Sequence, residues 1–184
     1  MTSQIRIIGG RWRGRSIRFS AEPGLRPTPS RVRETLFNWL GQTLPDFRCL
    51  DLFAGSGALG FEALSRGAAQ VVFVERQRAA ARMLRENADR LGAGEAAEVA
   101  LSEAMTWLRR DDRKFDLVFL DPPFSGQDLA EVLPLLPGHL APGGLVYCES
   151  SGGVSESPLW SEIRSAKAGQ VTYQLITPKQ EPEP

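Results

Sequence analysis

The chain has 184 residues, 42% hydrophobic and 24% charged, which suits one soluble globular domain with a sizeable buried core. Acidic and basic residues balance at 22 each, so the protein is neither a polyanion nor a uniformly basic one. Two cysteines, Cys49 and Cys148, each inside an apolar run, and one histidine, His139, leave no material for a disulfide framework or a zinc site, and no metal is expected.

The neutral total hides an uneven distribution. Residues 1–40 hold eight arginines against Glu22 and Glu34, a surplus of six positive charges that the other 144 residues offset. A basic end on an acidic body points to a polyanion met by one face. No run is long enough to span a membrane, and charges interrupt the N-terminal stretch where a signal peptide would be apolar, so a cytoplasmic location is expected.

Taken in order, residues 4–8 and 15–19 read as two short strands joined through Gly9, Gly10 and Gly14, a hairpin with Arg11, Trp12 and Arg13 near its tip. The arginines can meet phosphate and the tryptophan can stack on a base, or it can pack. Pro23, Pro27 and Pro29 keep the next stretch out of helix and inner strand. A helix then follows, with Thr28 as N-cap, Pro29 at the first position, and Val32, Leu36, Trp39 and Leu40 at helical spacing. Arg31 and Arg33 fall off that stripe and are expected to reach outward.

From residue 46 the chain alternates. Strands are expected at 48–53, 70–75, 97–101, 115–120 and 145–148, and helices at 58–66, 78–91, 104–110 and 128 to about 136, where Pro137 ends the last. Repeated βαβ units with nearly continuous apolar strands imply a parallel sheet covered on both faces, with ligands at the carboxyl ends of its strands. Asp51, Glu75, Glu103 and Asp121 all fall at or just past such ends. Residues 159–168 and 171–177 can pair as a last hairpin at an antiparallel edge, and residues 178–184 are expected to be disordered.

Two stretches carry chemistry. In the first, a strand ending at Asp51 and Phe53 runs into Gly55, Ser56 and Gly57 and then a helix start, where glycines permit close approach and unpaired N–H groups face a ligand. Gly55, Gly57 and Gly60 satisfy the G-x-G-x-x-G spacing, with Glu75 twenty residues beyond Gly55, so a dinucleotide is one reading. An anion at Asp51 sits poorly beside a pyrophosphate and suits a ligand with a cationic ammonium, a sulfonium and a ribose, which is S-adenosylmethionine.

The second is a buried-strand pattern ending in Asp121-Pro122-Pro123-Phe124. Two prolines fix a turn that donates no hydrogen bonds, leaving acceptors for both hydrogens of an exocyclic amine beside a ring that can lie on a base. A carboxylate suits the paired N1–H and N2–H₂ donors of guanine, a modest preference over adenine.

Asp-Pro-Pro-Phe resembles the motif of S-adenosylmethionine-dependent amino-methyltransferases. Residues 5–15, 24–40, 50–67 and 115–124 more narrowly resemble the bacterial 16S rRNA guanine-N2 methyltransferase family of the RsmD type, which acts on guanine 966. The resemblance implies a Rossmann-like class I methyltransferase, an α/β fold with a mostly parallel seven-stranded sheet, helices on both faces and an N-terminal β-hairpin extension. It divides the chain into a basic arm over residues 1–27, a catalytic domain over 28–177 and a tail over 178–184.

The implied cofactor is S-adenosylmethionine, with Asp51, Gly55 and Gly57 along its methionine part, Glu75 at the ribose and the Glu103-Ala104 segment near the adenine; Phe53, Ala54, Ser56 and Arg76 complete the expected cofactor-binding set. Such enzymes usually place Asp or Asn where this chain has Glu103. Asp121, Pro122, Pro123 and Phe124 would hold the guanine. Arg11, Trp12, Arg13, Arg15, Arg26, Arg31 and Arg33 would lie on 16S rRNA in the small subunit or its assembly intermediate, with the enzyme acting as a monomer. The rival readings are an amino-methyltransferase for adenine N6 or cytosine N4, a nicotinamide oxidoreductase, and an rRNA-binding factor without catalysis.

Overall fold

A computed structural model describes residues 2–20, 28–122, 127–154 and 157–179. The chain opens with β1 (Thr2–Arg6) and β2 (Ser16–Ser20), an antiparallel pair in which Ile5 faces Ile17. Both strands lie nearer the hairpin's open end than the sequence pattern implies, because Ile8 and Gly9 give their N–H groups to Glu62 rather than to the ladder. A short 3₁₀ turn, Gly10–Trp12, closes the connection.

Next come α1 (Ser30–Trp39), β3 (Arg48–Asp51), α2 (Ala58–Ser65), β4 (Gln70–Glu75), α3 (Arg78–Leu91), β5 (Ala97–Leu101) and α4 (Ala104–Leu108). The chain ends with β6 (Phe115–Leu120), α5 (Gln127–Val132), β7 (Leu140–Ser150), β8 (Trp160–Ala168) and β9 (Val171–Pro178). One sheet has the order β5-β4-β3-β6-β7-β9-β8, and its first five strands are parallel. The last hairpin forms across Gly169 as expected, but β9 enters the sheet between β7 and β8, so β8 is the edge.

Alternation along the strands sorts two cores. Cys49, Val71, Phe73, Leu117, Phe119 and Tyr147 face the side covered by α1, α2 and α3, and the inward side chains of the hairpin, Ile5, Ile7, Ile17 and Phe19, join that cluster. Leu50, Val72, Val118, Leu120 and Val146 face α4 and α5. Burying a side chain of this size from water contributes about 1.5–3 kcal/mol, so both layers are strongly specified by the strand pattern.

The hairpin is fastened by hydrogen bonds as well. Asn87, buried on α3, accepts the N–H of Arg18 at 2.9 Å and donates to its carbonyl at 2.7 Å, completing the pairing of an edge strand. Arg15 donates to the carbonyls of Arg90 and Leu91, satisfying the last turn of α3.

Several local expectations change: β7 starts at Leu140 rather than 145, α4 stops at Leu108 rather than 110, and β3 stops at Asp51 rather than 53. Thr28 does not cap α1: the N-cap position is Pro29, helical residues begin at Ser30, and the Thr28 hydroxyl turns elsewhere. The helix expected to run to residue 136 ends at Val132, and Pro137 sits inside a separate 3₁₀ turn, Leu136–His139, where its missing N–H costs nothing. The tail expected from residue 178 starts later: Pro178 pairs with Trp160 at the end of β9 and Lys179 gives its N–H to the Leu159 carbonyl, while residues from 180 onward lie outside the described ones.

Candidate active site

Four carboxylates stand along the carboxyl edge of the sheet on one side. Glu75, Asp51, Asp121 and Glu149 follow Phe73, Cys49, Phe119 and Tyr147 by two residues each, and those four belong to the same buried cluster, so the acids share its face. The ladder sets their heights. Asp51 pairs with Phe73 and with Phe119, and Phe119 pairs with Tyr147, so Asp51 is recessed by two residues while Glu75, Asp121 and Glu149 stand level. Two residues of strand amount to about 6.6 Å of depth.

Asp51 is buried and accepts the Gly60 N–H at 3.1 Å, one of the unpaired donors in the first turn of α2. Loss of hydration, with the Glu75 charge adding to it, pushes its carboxyl up to about 7 despite that bond. A cation bound beside it would restore the ionised form. Gly55 and Gly57 take positive φ, 48° and 76°. At Gly57 a Cβ would strike Leu84 and Phe61, so packing of α2 demands this glycine as well as the turn does.

Glu75 accepts the N–H of Gly55 at 2.9 Å and of Gln77 at 2.7 Å, which holds its carboxylate against the glycine turn. Phe53 is half-buried, while Ala54 and Ser56 are buried beside it. Arg76 is exposed past the tip of β4, and exposed Glu103 occupies the N-cap position of α4 with buried Ala104 after it. The structure therefore brings Asp51, the glycine turn and Glu75 together, with Glu103 one strand farther out. This donor set, with two acids, left-handed glycines and a helix N-terminus, fits a ligand carrying an ammonium at one end and ribose hydroxyls at the other.

Asp121 follows β6 and is half-buried. The Thr28 hydroxyl donates to its Oδ2 at 3.1 Å. Burial first, and then the neighbouring Glu149 charge, raise the Asp121 carboxyl well above the usual carboxylate range. Pro122 is buried, and Pro123 and Phe124 lie outside the described residues. Sequence reading missed Thr28, Tyr147 and Glu149. The signal for Glu149 was present, since it too is an acid one residue past an expected strand end.

The basic face needs two corrections. Arg33 does not reach outward: it is 2% exposed and donates to Glu62 and to the Arg6 carbonyl. Trp12 cannot stack on a base, because its ring is buried under Arg11, whose guanidinium carbon lies 4.4 Å from the ring centroid. Arg11, Arg13, Arg15 and Arg31 are exposed, as are Arg6 and Arg18, and Arg26 lies outside the described residues.

The reason for the burial of Arg33 is Glu62. The middle of α2 is covered by the N-terminal segment, so this helix is buried on all sides rather than amphipathic. Glu62, fully buried there, accepts from Ile8, Gly9, Arg33 and Arg66. Gly10, at φ 72°, lies so close to the Ser65 carbonyl that a Cβ would collide with it.

A family model described as Conserved hypothetical protein 95 matches residues 5–177. The chain is 49% identical over 179 residues to ribosomal RNA small subunit methyltransferase D of Escherichia coli strain K12, covering 95% of this chain and 90% of the relative. It belongs to the ribosomal RNA small subunit methyltransferase D family. The Haemophilus influenzae member of that family is 41% identical over 182 residues, with 94% and 93% covered. A solved structure of a putative methyltransferase from Escherichia coli superposes with a TM-score of 0.86 at 47% identity, covering 97% of this chain and 100% of that one. The fold is that of class I methyltransferases, as the sequence implied.

Proposed function

We propose that the chain transfers a methyl group from S-adenosylmethionine to the exocyclic N2 of a guanine in 16S rRNA of the small ribosomal subunit. The observation that carries this reading is the position of Asp121, level with Glu75 across the recessed Asp51. A donor seated on β3 and β4 then faces an amine held at β6. Membership in the family supports the rRNA substrate, since its relatives are named for the small subunit.

The cofactor is S-adenosylmethionine. Asp51 would hold the ammonium end, the Gly55 to Gly57 turn would admit the chain, and Glu75 would take the ribose hydroxyls. When bound, the cofactor supplies a methyl group and a neutral thioether as leaving group. The protein's part is to make an aromatic amine nucleophilic. Such an amine is weak because its lone pair is shared with the ring. The Asp121 carboxylate and the Pro122 carbonyl accept its two hydrogens and turn the lone pair toward the donor, so positioning and electrostatics supply most of the rate. As the new N–C bond forms, the surplus proton passes from N2 to the Asp121 carboxylate.

Guanine presents N1–H and N2–H₂ side by side, which matches an acceptor-only group. A base inside a helix must leave its stack to reach this tip. Exposed Arg11, Arg13, Arg15 and Arg31 would contact rRNA phosphates, and a cytoplasmic enzyme acting as a monomer completes the reading.

The test is Asp121→Ala, assayed by calorimetry with S-adenosylhomocysteine and by methyl transfer to small-subunit particles. Cofactor affinity is expected to remain while transfer is lost. Transfer that survives the substitution would contradict the assignment.

A further inference from the structure

The reaction described above engages Asp51 and Asp121 and leaves Glu149 without a part. Glu149 is nonetheless 8% exposed, an acid withdrawn from water at the tip of β7. Leu120 pairs with Cys148, so Asp121 and Glu149 stand side by side on adjacent strands, each two residues past a member of the cluster under α1, Phe119 and Tyr147. Neighbouring strands are about 4.8 Å apart, within reach of direct coupling between two carboxyls.

Two hydroxyls serve this pair. Tyr147, fully buried, donates to Glu149 Oε1 at 2.8 Å, and Thr28 donates to Asp121 Oδ2 at 3.1 Å. The other titratable groups on this side are Asp51 on β3 and Tyr173, the ladder partner of Glu149 on β9, while Cys148 turns to the opposite face of the sheet. None of these is a cation, and among the described residues no ion pair includes Asp121 or Glu149.

We propose that Glu149 is a positioning residue for methyl transfer, forming with Asp121 a carboxyl pair that shares a proton and so decides when Asp121 is charged to receive the substrate amine. The proposal rests on the reading of Asp121 given above. Two adjacent carboxyls largely withdrawn from water resist ionising together, and their protons leave in steps that belong to the pair. Glu149 is itself raised, by burial first, while the Tyr147 and Thr28 hydroxyls oppose the rise. A lone Asp121 with one hydroxyl donor would be fully charged at a lower pH and would retain less affinity for the proton leaving N2.

The experiment is the pH profile of single-turnover methyl transfer to small-subunit particles by cofactor-saturated wild type, Glu149→Gln, Glu149→Asp and Asp121→Asn. Glu149→Gln should keep its affinity for S-adenosylhomocysteine within about twofold and move the acidic limb of the profile down by about one pH unit. Glu149→Asp, which keeps the charge, should leave the limb near its wild-type place. A limb unmoved by Gln, or moved equally by Asp, overturns the pairing while the role of Asp121 stands. Wild-type transfer by Asp121→Asn overturns the role of Asp121 and this proposal with it. Carbon-13 carboxyl titration of the wild-type protein gives a second reading. Each group should sense the other in two steps, and two independent single steps would overturn the pairing.

Discussion

Arg33 Nη1 lies 3.2 Å from Glu62 Oε2, and neither side chain reaches solvent. Glu62 also receives Arg66 Nε at 2.9 Å and the N–H groups of Ile8 and Gly9, so one buried carboxylate ties α1, α2 and the N-terminal segment together. Removing Arg33 leaves Glu62 paired with Arg66 but empties a buried site and takes the donor from the Arg6 and Thr28 carbonyls. Arg33→Ala is expected to cost about 2–4 kcal/mol in urea unfolding. At a temperature where it remains folded, the salt dependence of its rRNA binding should match wild type. A flatter dependence would place Arg33 on the nucleic acid after all.

The exposed arginines behave differently. Arg11→Ala with Arg13→Ala should weaken rRNA binding across sequences and reduce the slope of log affinity against log salt by about two. Fluorescence anisotropy with an rRNA fragment at several salt concentrations measures it. An unchanged slope removes these two side chains from the interface. Because Arg11 also covers Trp12, a modest loss of stability is expected alongside.

Asp51 links pH to stability and to the cofactor. Its carboxyl is raised from 3.8 to about 7 in the fold, mainly by burial, so folding takes up a proton. The group is best tolerated below pH 4, and its contribution turns unfavourable as pH rises from 4 through 7. Asp51→Asn should therefore gain stability relative to wild type between pH 5 and pH 8, on the order of 2–3 kcal/mol in thermal or urea unfolding. S-adenosylhomocysteine keeps the ammonium, so its affinity for wild type should rise over the same interval and stay flat and weak for Asp51→Asn. An equal pH response in both proteins would separate Asp51 from the ligand.

Glu75 tests the other end of the cofactor. Losing two charge-assisted bonds to ribose hydroxyls should cost Glu75→Gln roughly 10- to 100-fold in S-adenosylhomocysteine affinity. Transfer should recover in part at high cofactor concentration. Unchanged affinity would leave Glu75 with only its bonds to Gly55 and Gln77.

The alternating strands were legible because buried parallel strands are nearly continuous in apolar residues, and Val71 to Val74 or Leu117 to Leu120 can hardly be anything else. The carboxyl-edge acids followed from where those runs stop. What the sequence could not show was what covers α2. The pattern around Glu62 reads as one polar face of a helix until the N-terminal segment is laid over it, which buries Glu62 and draws Arg33 and Trp12 inward with it. Thr28 was misread for a similar reason. A threonine before a helix usually caps it, and only the folded sheet brings Asp121 within reach of its hydroxyl.

The substrate claim is tested most directly by mass spectrometry of nucleosides from 16S rRNA of cells lacking this chain, with and without a plasmid copy. One N2-methylguanosine should disappear in the deletion and return with the wild-type copy but not with Asp121→Ala. A full complement of N2-methylguanosine, with a different methylated nucleoside missing, would contradict it.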